Sequence, residues 1–314
     1  MNSPHIEVFH DAAKYYGLKL RKFDPEDVLH IMSDGKKDCW LNRSSTEKSS
    51  HISYLIADNK RLTVEVLKKF NISTTEQKCV KKYKDLISFY KKHKPVVVKP
   101  NSSSLGKGVT VGVNSFTALK KAFEHARKYD SRVLVENFIP GEDYRFTVID
   151  YKKVYVFKRI PAYVLGDGNS TVSQLIDDKN ADKKHFKKEI KKDSKSKLIL
   201  QSQGFDLNSV LKIGQIVYLR RVANVAEGGT SIEVTQQASK KLKDMAISVA
   251  KALKLRTAGV DIMTEDVSKN KGVVIEVNPR AHVVVHHYPH VGKPTYPARA
   301  IVKMLFPGAK KSGK

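Results

Sequence analysis

Apolar residues along the chain follow two spacings. Positions three and four apart predict helices, and short runs rich in β-branched residues predict strands. The helical spacing covers segments 6–16, 59–70, 119–126 and 242–253. The strand-like runs are 28–32, 39–41, 95–99, 109–113, 132–138, 146–149, 154–157, 216–219, 259–263 and 272–277.

The order of these segments predicts an α+β fold. The turns at 33–36 and 150–153 are expected to join neighbouring strands as hairpins. Antiparallel strands with inserted helices favour this class over a doubly wound parallel sheet. Both the dinucleotide-binding fingerprint and the Walker A loop are missing from the sequence. The apolar face of helix 59–70 is predicted to hold Leu62, Val66, Leu67 and Phe70.

The composition is that of a globular protein. The 314 residues are 40% hydrophobic, with a mean hydropathy of −0.41. No apolar run approaches the roughly 20 residues that cross a bilayer. The first residues lack a basic segment leading into an apolar one, and two cysteines, Cys39 and Cys79, are too few for a disulfide framework. We therefore expect a cytoplasmic protein with reduced thiols.

The net charge of +26, with a pI near 9.8, raises nucleic acid or another polyanion as a partner. Much of the excess is lysine in three clusters, at 81–84, 91–94 and 179–197. These clusters do not interleave arginine with the aromatic residues on which single-stranded bases stack. Solvated surface is one interpretation of them, and attraction of anionic substrates such as ATP is the other.

Two carboxylates and an amide near the C-terminus form a first candidate site. Glu276 and Asn278 lie two apart on one predicted strand and so share a face. Asp261 lies on the preceding strand and reaches the same face if the two strands pair. Hard oxygen ligands of this kind suit Mg²⁺. Taken alone, these residues favour an ordinary polar strand end over a metal site.

A second candidate site would bind a nucleotide. Lys99 ends a strand directly before a loop in which Gly106 and Gly108 permit close backbone approach, so that N–H groups can surround phosphates. Segment 135–145 then joins an apolar strand to a turn and places Asp143 and Arg145 on the next strand. A strand edge can pair with adenine, a carboxylate can accept ribose hydroxyls, and an arginine can bind phosphate with two hydrogen bonds.

This order of motifs resembles the ATP-grasp superfamily of ligases. The pattern is a lysine, a glycine loop, Glu136-x-x-x-x-Gly141-x-Asp143, and then Asp261 followed by Glu276-x-Asn278. The similarity extends over nearly the whole chain. It is closest to the glutathione-synthetase module of bifunctional glutathione synthetases and to the ATP-grasp module of cyanophycin synthetases. The shared segments are 58–63, 98–100, 159–162, 166–171, 219–224, 228–230 and 275–278.

The resemblance implies an ATP-grasp fold, in which two α+β lobes with antiparallel sheets clamp ATP. A small α/β N-terminal region would occupy residues 1–56. The N-terminal lobe with its lid loop would occupy 57–137, and the C-terminal lobe with the magnesium and substrate sites would occupy 138–314.

The resemblance also implies roles on the nucleotide side. Lys60 and Lys99 would hold the α- and β-phosphates, and Asp143 would bind the ribose. Loop 101–109 would close over the β- and γ-phosphates, through residues that include Ser103, Ser104, Gly106 and Gly108. The residues flanking adenine would be Glu136, Asn137, Phe138 and Ile139. Two Mg²⁺ ions, for which Mn²⁺ is a substitute, would be bound by Asp261, Glu276 and Asn278.

On the substrate side, the resemblance implies that Arg145 faces the transferring phosphoryl group and the acyl phosphate. Arg220 and Asn224 would shape the site where the acyl phosphate meets its nucleophile, together with the turn at Gly228 and Gly229. His286 would be a residue of the substrate pocket.

The sequence departs from the family pattern on the substrate side. Residues 226–227 are Ala-Glu where the relatives tend to carry Ser-Thr, so Glu227 either binds a basic group of the substrate or faces solvent. Segment 279–281 also differs. Both relatives are larger enzymes, and we expect this chain to lack their additional modules. An alternative Zn²⁺ site is disfavoured by the resemblance; its ligands would come from His282, His286, His287 and His290.

The predicted function is that of an ATP-dependent carboxylate–amine ligase, which forms an amide between amino acids or short peptides through an acyl phosphate. A narrower alternative joins glycine to γ-glutamylcysteine. An intermediate case adds amino acids to a protein or polymer tail. An alternative of another class is a nucleic-acid- or polyanion-binding protein that uses ATP as a regulator. Neither nucleic acid nor a membrane is an expected partner, and the sequence leaves a homodimer open.

Overall fold

The computed structural model of the chain describes residues 3–24, 26, 28–103, 106–181 and 188–312. These residues fall into two compact units. The first unit comprises Met1–Cys79, Ile139–Phe157 and Glu233–Lys314, and the second comprises Val80–Phe138 and Lys158–Ile232. The domain limits expected at 56/57 and 137/138 stay predictions.

A four-stranded sheet and three helices begin the first unit. The elements are α1 (Pro4–Tyr15), β1 (Lys19–Lys22), β2 (His30–Ser33), β3 (Asp38–Asn42), β4 (Ser45–Thr46), α2 (His51–Asp58) and α3 (Lys60–Lys69). The sheet follows chain order. The Asn59 side chain accepts a hydrogen bond from the N–H of Leu62 and so caps the start of α3. Leu67 is fully buried on this helix. Phe70 follows the last turn as the C-cap residue and is exposed.

The second unit contains a sheet in the order β5-β8-β6-β7. Its elements are β5 (Gln77–Val80), α4 (Ile87–His93), β6 (Val96–Pro100), β7 (Thr110–Val113), α5 (Phe116–Arg127) and β8 (Val133–Asn137). Ser115 caps α5 by accepting a hydrogen bond from the N–H of Ala118. The predicted apolar face of this helix is confirmed as buried, with Leu119, Ala122, Phe123 and Ala126.

The remaining strands and helices alternate along the chain. They are β9 (Glu142–Ile149), β10 (Lys153–Ile160), β11 (Tyr163–Leu165), α6 (Val172–Ala181), α7 (Ser194–Gln201), β12 (Ile216–Tyr218), β13 (Thr230–Glu233), α8 (Lys240–Ala252), β14 (Thr257–Thr264), β15 (Val273–Asn278), α9 (Val284–His287) and α10 (Pro297–Leu305). Short 3-10 helices cover Tyr83–Leu86 and Val225–Glu227. Part of the lysine cluster at 179–197 lies outside the described residues.

The largest sheet has the order β13-β10-β9-β14-β15 and gives β9 two different faces. Tyr144, Phe146 and Val148 point to a hydrophobic core that includes the apolar face of α8. Because side chains alternate along a strand, Asp143, Arg145 and Thr147 lie on the opposite face. The polar residues predicted as a site therefore lie on the face of β9 turned away from this core.

The α+β class with antiparallel sheets is confirmed. The predicted hairpins of β2 with β3 and of β9 with β10 are present. Elements of only three or four residues were missed, among them β11, β13 and α9. No helix among the described residues has the length and apolar character needed to cross a membrane.

Candidate functional site

A row of three charged residues crosses the sheet of the first unit. Arg145 on β9 lies directly opposite Asp261 on β14, and Asp261 lies directly opposite Glu276 on β15. Directly paired residues share a face of the sheet, with Cβ atoms about 4.5–5.5 Å apart. The register alone therefore brings one cation and two carboxylates together. We call these three residues the charged row.

Asp261 is fully buried and binds Arg145 with both of its oxygens. The Arg145 Nε donates to Oδ1, and Nη2 donates to Oδ2 at 2.9 Å. A fork-like guanidinium matches a carboxylate in this bidentate arrangement. The burial of both groups excludes water from the pair, so the contact fixes the position of Arg145.

Glu276 pairs with the second cation assigned to the site. Its Oε1 lies 3.1 Å from Nζ of Lys60, the first residue of α3. The capping of α3 by Asn59 holds this helix start in place, and Lys60 follows the cap directly. Lys60 therefore belongs to the same cluster as the charged row, although 216 residues of sequence separate it from Glu276.

A second row lies one residue pair along the same face. It consists of Thr147 on β9, Gly259 on β14 and Asn278 on β15. A Cβ atom added to Gly259 would lie 2.8 Å from Nη1 of Arg145 and 3.0 Å from its Cδ. The Arg145 side chain thus lies over Gly259. The absence of a side chain there leaves room for the arginine to reach Asp261.

The donor set of these rows fits a hard cation. Asp261, Glu276 and Asn278 offer oxygen ligands on one sheet face, and Nδ2 of Asn278 is buried without a hydrogen-bond partner among the described residues. A divalent ion would use the carboxylates now paired with Arg145 and Lys60. Within the described ranges there is no group of three or more His, Cys, Asp and Glu residues that could hold a metal. A metal here would therefore need the amide of Asn278 and oxygens from a ligand or water.

The second unit places Lys99 beside Glu136 in a buried pair. Lys99 lies on β6 and Glu136 on β8, and the strand register makes them diagonal neighbours on one face. Their Nζ and Oε1 atoms are 2.7 Å apart, and both side chains are buried. The backbone continues into the predicted adenine segment, where the N–H of Phe138 donates to the carbonyl of Pro95 at 3.2 Å.

The loop after β6 requires glycine at two described positions. Gly106 and Gly108 have φ angles of +72° and +75°, which favour glycine. A Cβ atom at Gly108 would also come within 2.6 Å of Pro100 Cγ and 2.7 Å of Tyr129 Cδ2. The Ser103 hydroxyl donates to the carbonyl of Lys107 at 3.1 Å. Ser104 lies outside the described residues.

The remaining nucleotide residues lie on neighbouring elements. Asn137 ends β8, and Ile139 precedes β9. Asp143 lies on β9, half-buried and opposite Met263, on the same face as Arg145. The ribose and adenine roles of these residues stay predictions.

Arg220 of the second unit is buried among two carboxylates and a hydroxyl. Its Nη2 donates to Asp193 Oδ2 at 3.0 Å, and its Nη1 contacts the Ser196 hydroxyl. Its Nε lies 3.3 Å from Glu227 Oε2. Glu227 also lies 3.9 Å from Lys195, so its carboxylate pairs with cations of the chain itself. Neither sequence-based alternative for Glu227 included this intramolecular pair.

The turn that follows Arg220 depends on Asn224 and two glycines. The Asn224 side chain accepts a hydrogen bond from the N–H of Ala226 and caps the short 3-10 helix. Gly228 ends that helix with a φ of +85°. A Cβ atom on Gly229 would lie 2.8 Å from the carbonyl oxygens of Asn224 and Ile160. These residues are required to form the turn, and their substrate roles stay predictions.

His286 is completely buried in a polar network of the first unit. Nδ1 lies 2.8 Å from Glu233 Oε2, and Nε2 lies 3.0 Å from the Thr147 hydroxyl. Burial lowers the pKa of His286, and the nearby Arg145 lowers it further, while Glu233 opposes the shift. The network connects His286 to the second row through Thr147. A direct contact of His286 with substrate stays a prediction.

Several residues around these sites were missed by sequence reasoning. Thr147 and Gly259 could have been found from strand register, because they lie two residues from Arg145 and Asp261. Glu233 and Asp193 carry no comparable signal, since each meets its partner through tertiary folding. The pair of Glu276 with Lys60 was missed for the same reason, whereas the pair of Asp261 with Arg145 follows from strand register.

Comparison with known proteins adds family information to this geometry. A family model described as an ATP-grasp domain matches residues 57–283. The glutathione biosynthesis bifunctional protein GshAB of Clostridium perfringens is 32% identical over 313 residues, which cover 94% of this chain and 40% of that protein. Cyanophycin synthetase of a Nostoc species is 33% identical over 279 residues, covering 85% of this chain and 31% of that protein.

A solved structure shares the fold over almost the whole chain. The crystal structure of a bifunctional glutathione synthetase from Pasteurella multocida superposes with a TM-score of 0.73 and 28% identity. The match covers 98% of this chain and 44% of that chain. This chain therefore spans less than half the length of each of these three proteins.

Proposed function

The chain belongs to the ATP-grasp family, and we propose from this that it is an ATP-dependent ligase that joins a carboxylate to an amine. The ATP-grasp fold expected from the sequence is confirmed. The observation that carries the proposal is the charged row with Asn278 and Lys60, because it provides oxygen ligands and phosphate-binding cations on one face. The substrates in this proposal are amino acids or short peptides.

The first step is phosphoryl transfer from ATP to the substrate carboxylate. A carboxylate oxygen attacks the γ-phosphorus, the bond to the β–γ bridging oxygen breaks, and the products are an acyl phosphate and ADP. Lys60 and Lys99 bind phosphate oxygens, each after leaving the carboxylate it pairs with in the free protein. Loop 101–109 covers the phosphates and limits access of water to the acyl phosphate.

Arg145 supports this step from a fixed position. Asp261 binds Nε and Nη2, and Nη1 has no hydrogen-bond partner among the described residues. That donor is available for the oxygens of the transferring group. Bound at Asp261, Glu276 and Asn278, Mg²⁺ would offset the negative charge that two anions bring together.

The second step forms the amide. The amine nitrogen attacks the carbonyl carbon of the acyl phosphate, the bond to the phosphate oxygen breaks, and the amine loses a proton. Arg220 supports the departing phosphate, and the turn at Gly228 and Gly229 shapes the backbone that follows it, with both glycine N–H groups bound inside the turn to the carbonyls of Val225 and Asn224. Arg220 must exchange one carboxylate contact for the substrate. Glu227 is the more distant of its two carboxylate partners, at 3.3 Å against 3.0 Å for Asp193.

The test is ADP release by the purified chain across a panel of amino acids and dipeptides as acid and amine. Turnover that requires both substrates and a divalent ion, with an amide detected by mass spectrometry, is the expected result. Glu276→Gln should remove turnover, whereas Glu65→Gln, an exposed carboxylate on α3, should not. Tight ATP binding without turnover for any pair would contradict the proposal.

The similarity to bifunctional glutathione synthetases favours a narrower function, the joining of glycine to γ-glutamylcysteine. Because the chain matches bifunctional glutathione synthetases, the pair of glycine and γ-glutamylcysteine belongs in the panel as the first alternative. Formation of glutathione from this pair alone would select it. Amide formation with other pairs would leave the broader proposal in place.

The high positive charge favours a different class of function, a polyanion-binding protein regulated by ATP. That function predicts salt-sensitive binding to DNA or RNA, with a slope set by the number of phosphates contacted. Binding that is unaffected by Glu276→Gln, in a protein without ligase turnover, would select it.

A further inference from the structure

Three buried side chains of the first unit form a hydrogen-bonded bridge that ends on the face of β9 that carries Arg145. Glu233 Oε2 lies 2.8 Å from Nδ1 of His286, and Nε2 of the same ring lies 3.0 Å from the Thr147 hydroxyl. All three residues are buried, and His286 and Thr147 are completely so. We call Glu233, His286 and Thr147 the polar bridge.

Contacts inside the first unit use every side of the His286 ring. Both nitrogens are hydrogen-bonded within the polar bridge. The rings of Phe157 and Tyr155 stand edge-on to the imidazole, with centroids 5.0 and 5.8 Å away. This arrangement favours an indirect role of His286 in the reaction over direct contact with a substrate.

Hydrogen bonds in the polar bridge are donated in one direction. Burial raises the pKa of Glu233, but hydrogen bonds from His286 and Thr235 outweigh it and hold that pKa below its usual value, so the carboxylate can only accept. Nδ1 of His286 therefore carries a proton. Burial lowers the pKa of the ring more than the hydrogen bond to Glu233 raises it, so the ring is neutral at pH 7 and Nε2 is an acceptor. The Thr147 hydroxyl donates to Nε2, and its oxygen keeps only lone pairs for other neighbours.

Further hydrogen bonds fix Glu233 at the outer end of the polar bridge. The Thr295 hydroxyl donates to Oε2 at 3.1 Å, and the N–H of Thr235 donates to Oε1 at 3.1 Å. The N–H of Glu233 itself donates to the carbonyl of Val291 at 2.9 Å. A carboxylate held by this many contacts has a fixed position, and it therefore fixes the orientation of the ring that donates to it.

The inner end of the polar bridge lies beside the guanidinium of Arg145. Thr147 is directly opposite Gly259, and directly paired residues have Cβ positions about 4.5–5.5 Å apart. Nη1 of Arg145 lies 2.8 Å from the Cβ position of Gly259. The guanidinium thus fills the space next to Thr147 that a side chain at Gly259 would occupy. Arg145 is also one of the charges that lower the pKa of His286, which agrees with this proximity.

We propose that the polar bridge positions the guanidinium of Arg145 for the ligase reaction. Asp261 binds Nε and Nη2, and Thr147 limits the movement of the Nη1 side. The direction of donation leaves an oxygen acceptor beside this cation, and the neutral ring adds no second positive charge behind it. Glu233 and His286 are therefore positioning residues that act through Thr147. The inference deepens the proposed function and rests on it.

The experiment measures ADP release in two threonine variants of the full chain. Thr147→Val keeps the approximate shape of the side chain and removes the hydroxyl, whereas Thr147→Ser keeps the hydroxyl. We expect Thr147→Val to lower kcat about tenfold or more, because small misplacements of a catalytic group have effects of this size. The KM for ATP should change by less than about twofold, since the loss concerns the transition state. Thr147→Ser should keep kcat within about threefold of the wild type.

Thr257→Val is the matched control for the loss of a buried hydroxyl. Thr257 is completely buried on the neighbouring strand β14, and its hydroxyl donates to the carbonyl of Ser44 at 3.2 Å. Its loss of stability should resemble that of Thr147→Val, while its kcat should stay at the wild-type value. An equal fall of kcat in the two valine variants would overturn the proposal, because a general loss of stability would then explain both.

Proton–nitrogen NMR of the free protein reports on the polar bridge without turnover. The ring nitrogens of His286, assigned through their loss in His286→Phe, should show a protonated Nδ1 and an unprotonated Nε2 at pH 7. The Nε–H signal of Arg145, assigned with Arg145→Lys, exchanges slowly because the group is buried and hydrogen-bonded. That signal should shift in Thr147→Val and stay unchanged in Thr257→Val. A protonated Nε2 in the wild type, or an Arg145 signal that ignores Thr147→Val, would overturn the proposal.

The two kinds of measurement separate the positioning role from the fate of the ligase proposal. The expected NMR results in a protein without turnover for any substrate pair would support the positioning of Arg145 and reject the ligase function. Turnover in the wild type with the same kcat in Thr147→Val would keep the ligase function and reject the positioning role.

Discussion

Arg145 and Arg220 are two buried arginines with different supports. Arg145 is held by one fully buried carboxylate, Asp261, on the neighbouring strand of a regular sheet. Arg220 is held by Asp193 and Glu227, two partly exposed carboxylates from irregular segments beside α7 and the 3-10 helix. One arginine therefore depends on a single contact set by strand register, and the other shares its charge between two contacts set by loops.

This difference determines how each arginine can act. A guanidinium with one rigid partner keeps its position and offers its remaining donor in a fixed direction. A guanidinium between two partners can exchange the weaker one for a ligand and keep the other. We therefore expect the charged row to be sensitive to any single substitution and the surroundings of Arg220 to be tolerant of some.

Asp261→Asn should have the largest effect. The substitution leaves Arg145 buried without its carboxylate, which typically costs about 3–5 kcal/mol of unfolding free energy. It also removes a metal ligand, so turnover should fall by about 10³-fold. Urea unfolding and ADP release measure the two effects.

Asp244→Asn is the matched control, because Asp244 pairs with Lys240 on the exposed surface of α8. Exposed pairs contribute at most about 1 kcal/mol. If Asp261→Asn destabilises the protein no more than Asp244→Asn, the single-support view of Arg145 is wrong.

Gly259 lies beside Arg145 and Gly229 lies in the turn after Arg220, and the two differ in the kind of atom that an added methyl group would meet. At Gly259 an added methyl group meets the flexible Arg145 side chain, whereas at Gly229 it meets two backbone carbonyl oxygens. Gly259→Ala should displace the guanidinium and lower turnover by about 10- to 100-fold, since small misplacements have effects of this size. Its unfolding free energy should fall by only about 1 kcal/mol.

In Gly229→Ala the loss of unfolding free energy should be the main effect, in contrast to Gly259→Ala. Backbone carbonyls cannot rotate away, so the unfolding free energy should fall by about 3 kcal/mol. Gly308→Ala is the control, because an added methyl group there meets nothing within 4 Å. Equal loss of stability in Gly259→Ala and Gly229→Ala would contradict the distinction between a side-chain and a backbone obstacle.

The contrast between contacts set by strand register and contacts set by irregular segments also explains which parts of the site could be predicted from the sequence. Period-two spacing placed Glu276 and Asn278 on one face, and pairing of β14 with β15 made Asp261 their neighbour. Strand register is local information once the pairing is known. The resemblance then supplied roles that spacing could not.

Contacts made through irregular segments were beyond sequence reasoning. Asp193 and Ser196 reach Arg220 because α7 packs over a hydrophobic cluster that includes Leu200 and Leu219. The pair of Lys60 with Glu276 depends likewise on where the start of α3 lies against β15. Such contacts depend on the packing of elements that are far apart in the sequence. The spacing of apolar residues carries no information about that packing.

Buried histidines distinguish the two units under acid conditions. Burial lowers the pKa of His287 in the first unit to about 4, with smaller contributions from His286 and Arg299, while Asp11 opposes the shift. A histidine with a lowered folded pKa supports stability above its unfolded pKa near 6.5 and loses that support as pH falls towards 4. Between pH 7 and pH 5, His287 should therefore cost the wild type about 2 kcal/mol.

His287→Phe should remove this part of the acid sensitivity. Urea unfolding at pH 7 and pH 5 should show a pH-dependent loss about 2 kcal/mol smaller in the variant than in the wild type. His125→Phe in the second unit is the control, because its ring is less buried and its pKa less strongly lowered. An identical pH dependence of wild type and His287→Phe would show that the pKa of this histidine is the same in the folded and the unfolded protein.

Glu227→Gln should have the smallest effect and tests the tolerance expected around Arg220. Asp193 stays in place in this variant, and the 3.3 Å pair of Glu227 with Arg220 is partly exposed, so the unfolding free energy should change by less than about 1 kcal/mol. Asp193→Asn is the sharper partner experiment. Asp193 also caps α7 by accepting from the N–H of Ser196, so its loss should cost about 2 kcal/mol.

The KM values of these two variants for the acidic substrate show how Arg220 binds its ligand. If Glu227 is the contact that a ligand replaces, Glu227→Gln should lower the KM for the acidic substrate, because the competing carboxylate is gone. Asp193→Asn should instead raise that KM, since Arg220 loses the support that positions it. Equal effects of the two substitutions on both stability and KM would mean that Arg220 is held as rigidly as Arg145, and that the two arginines differ only in the regularity of their surroundings.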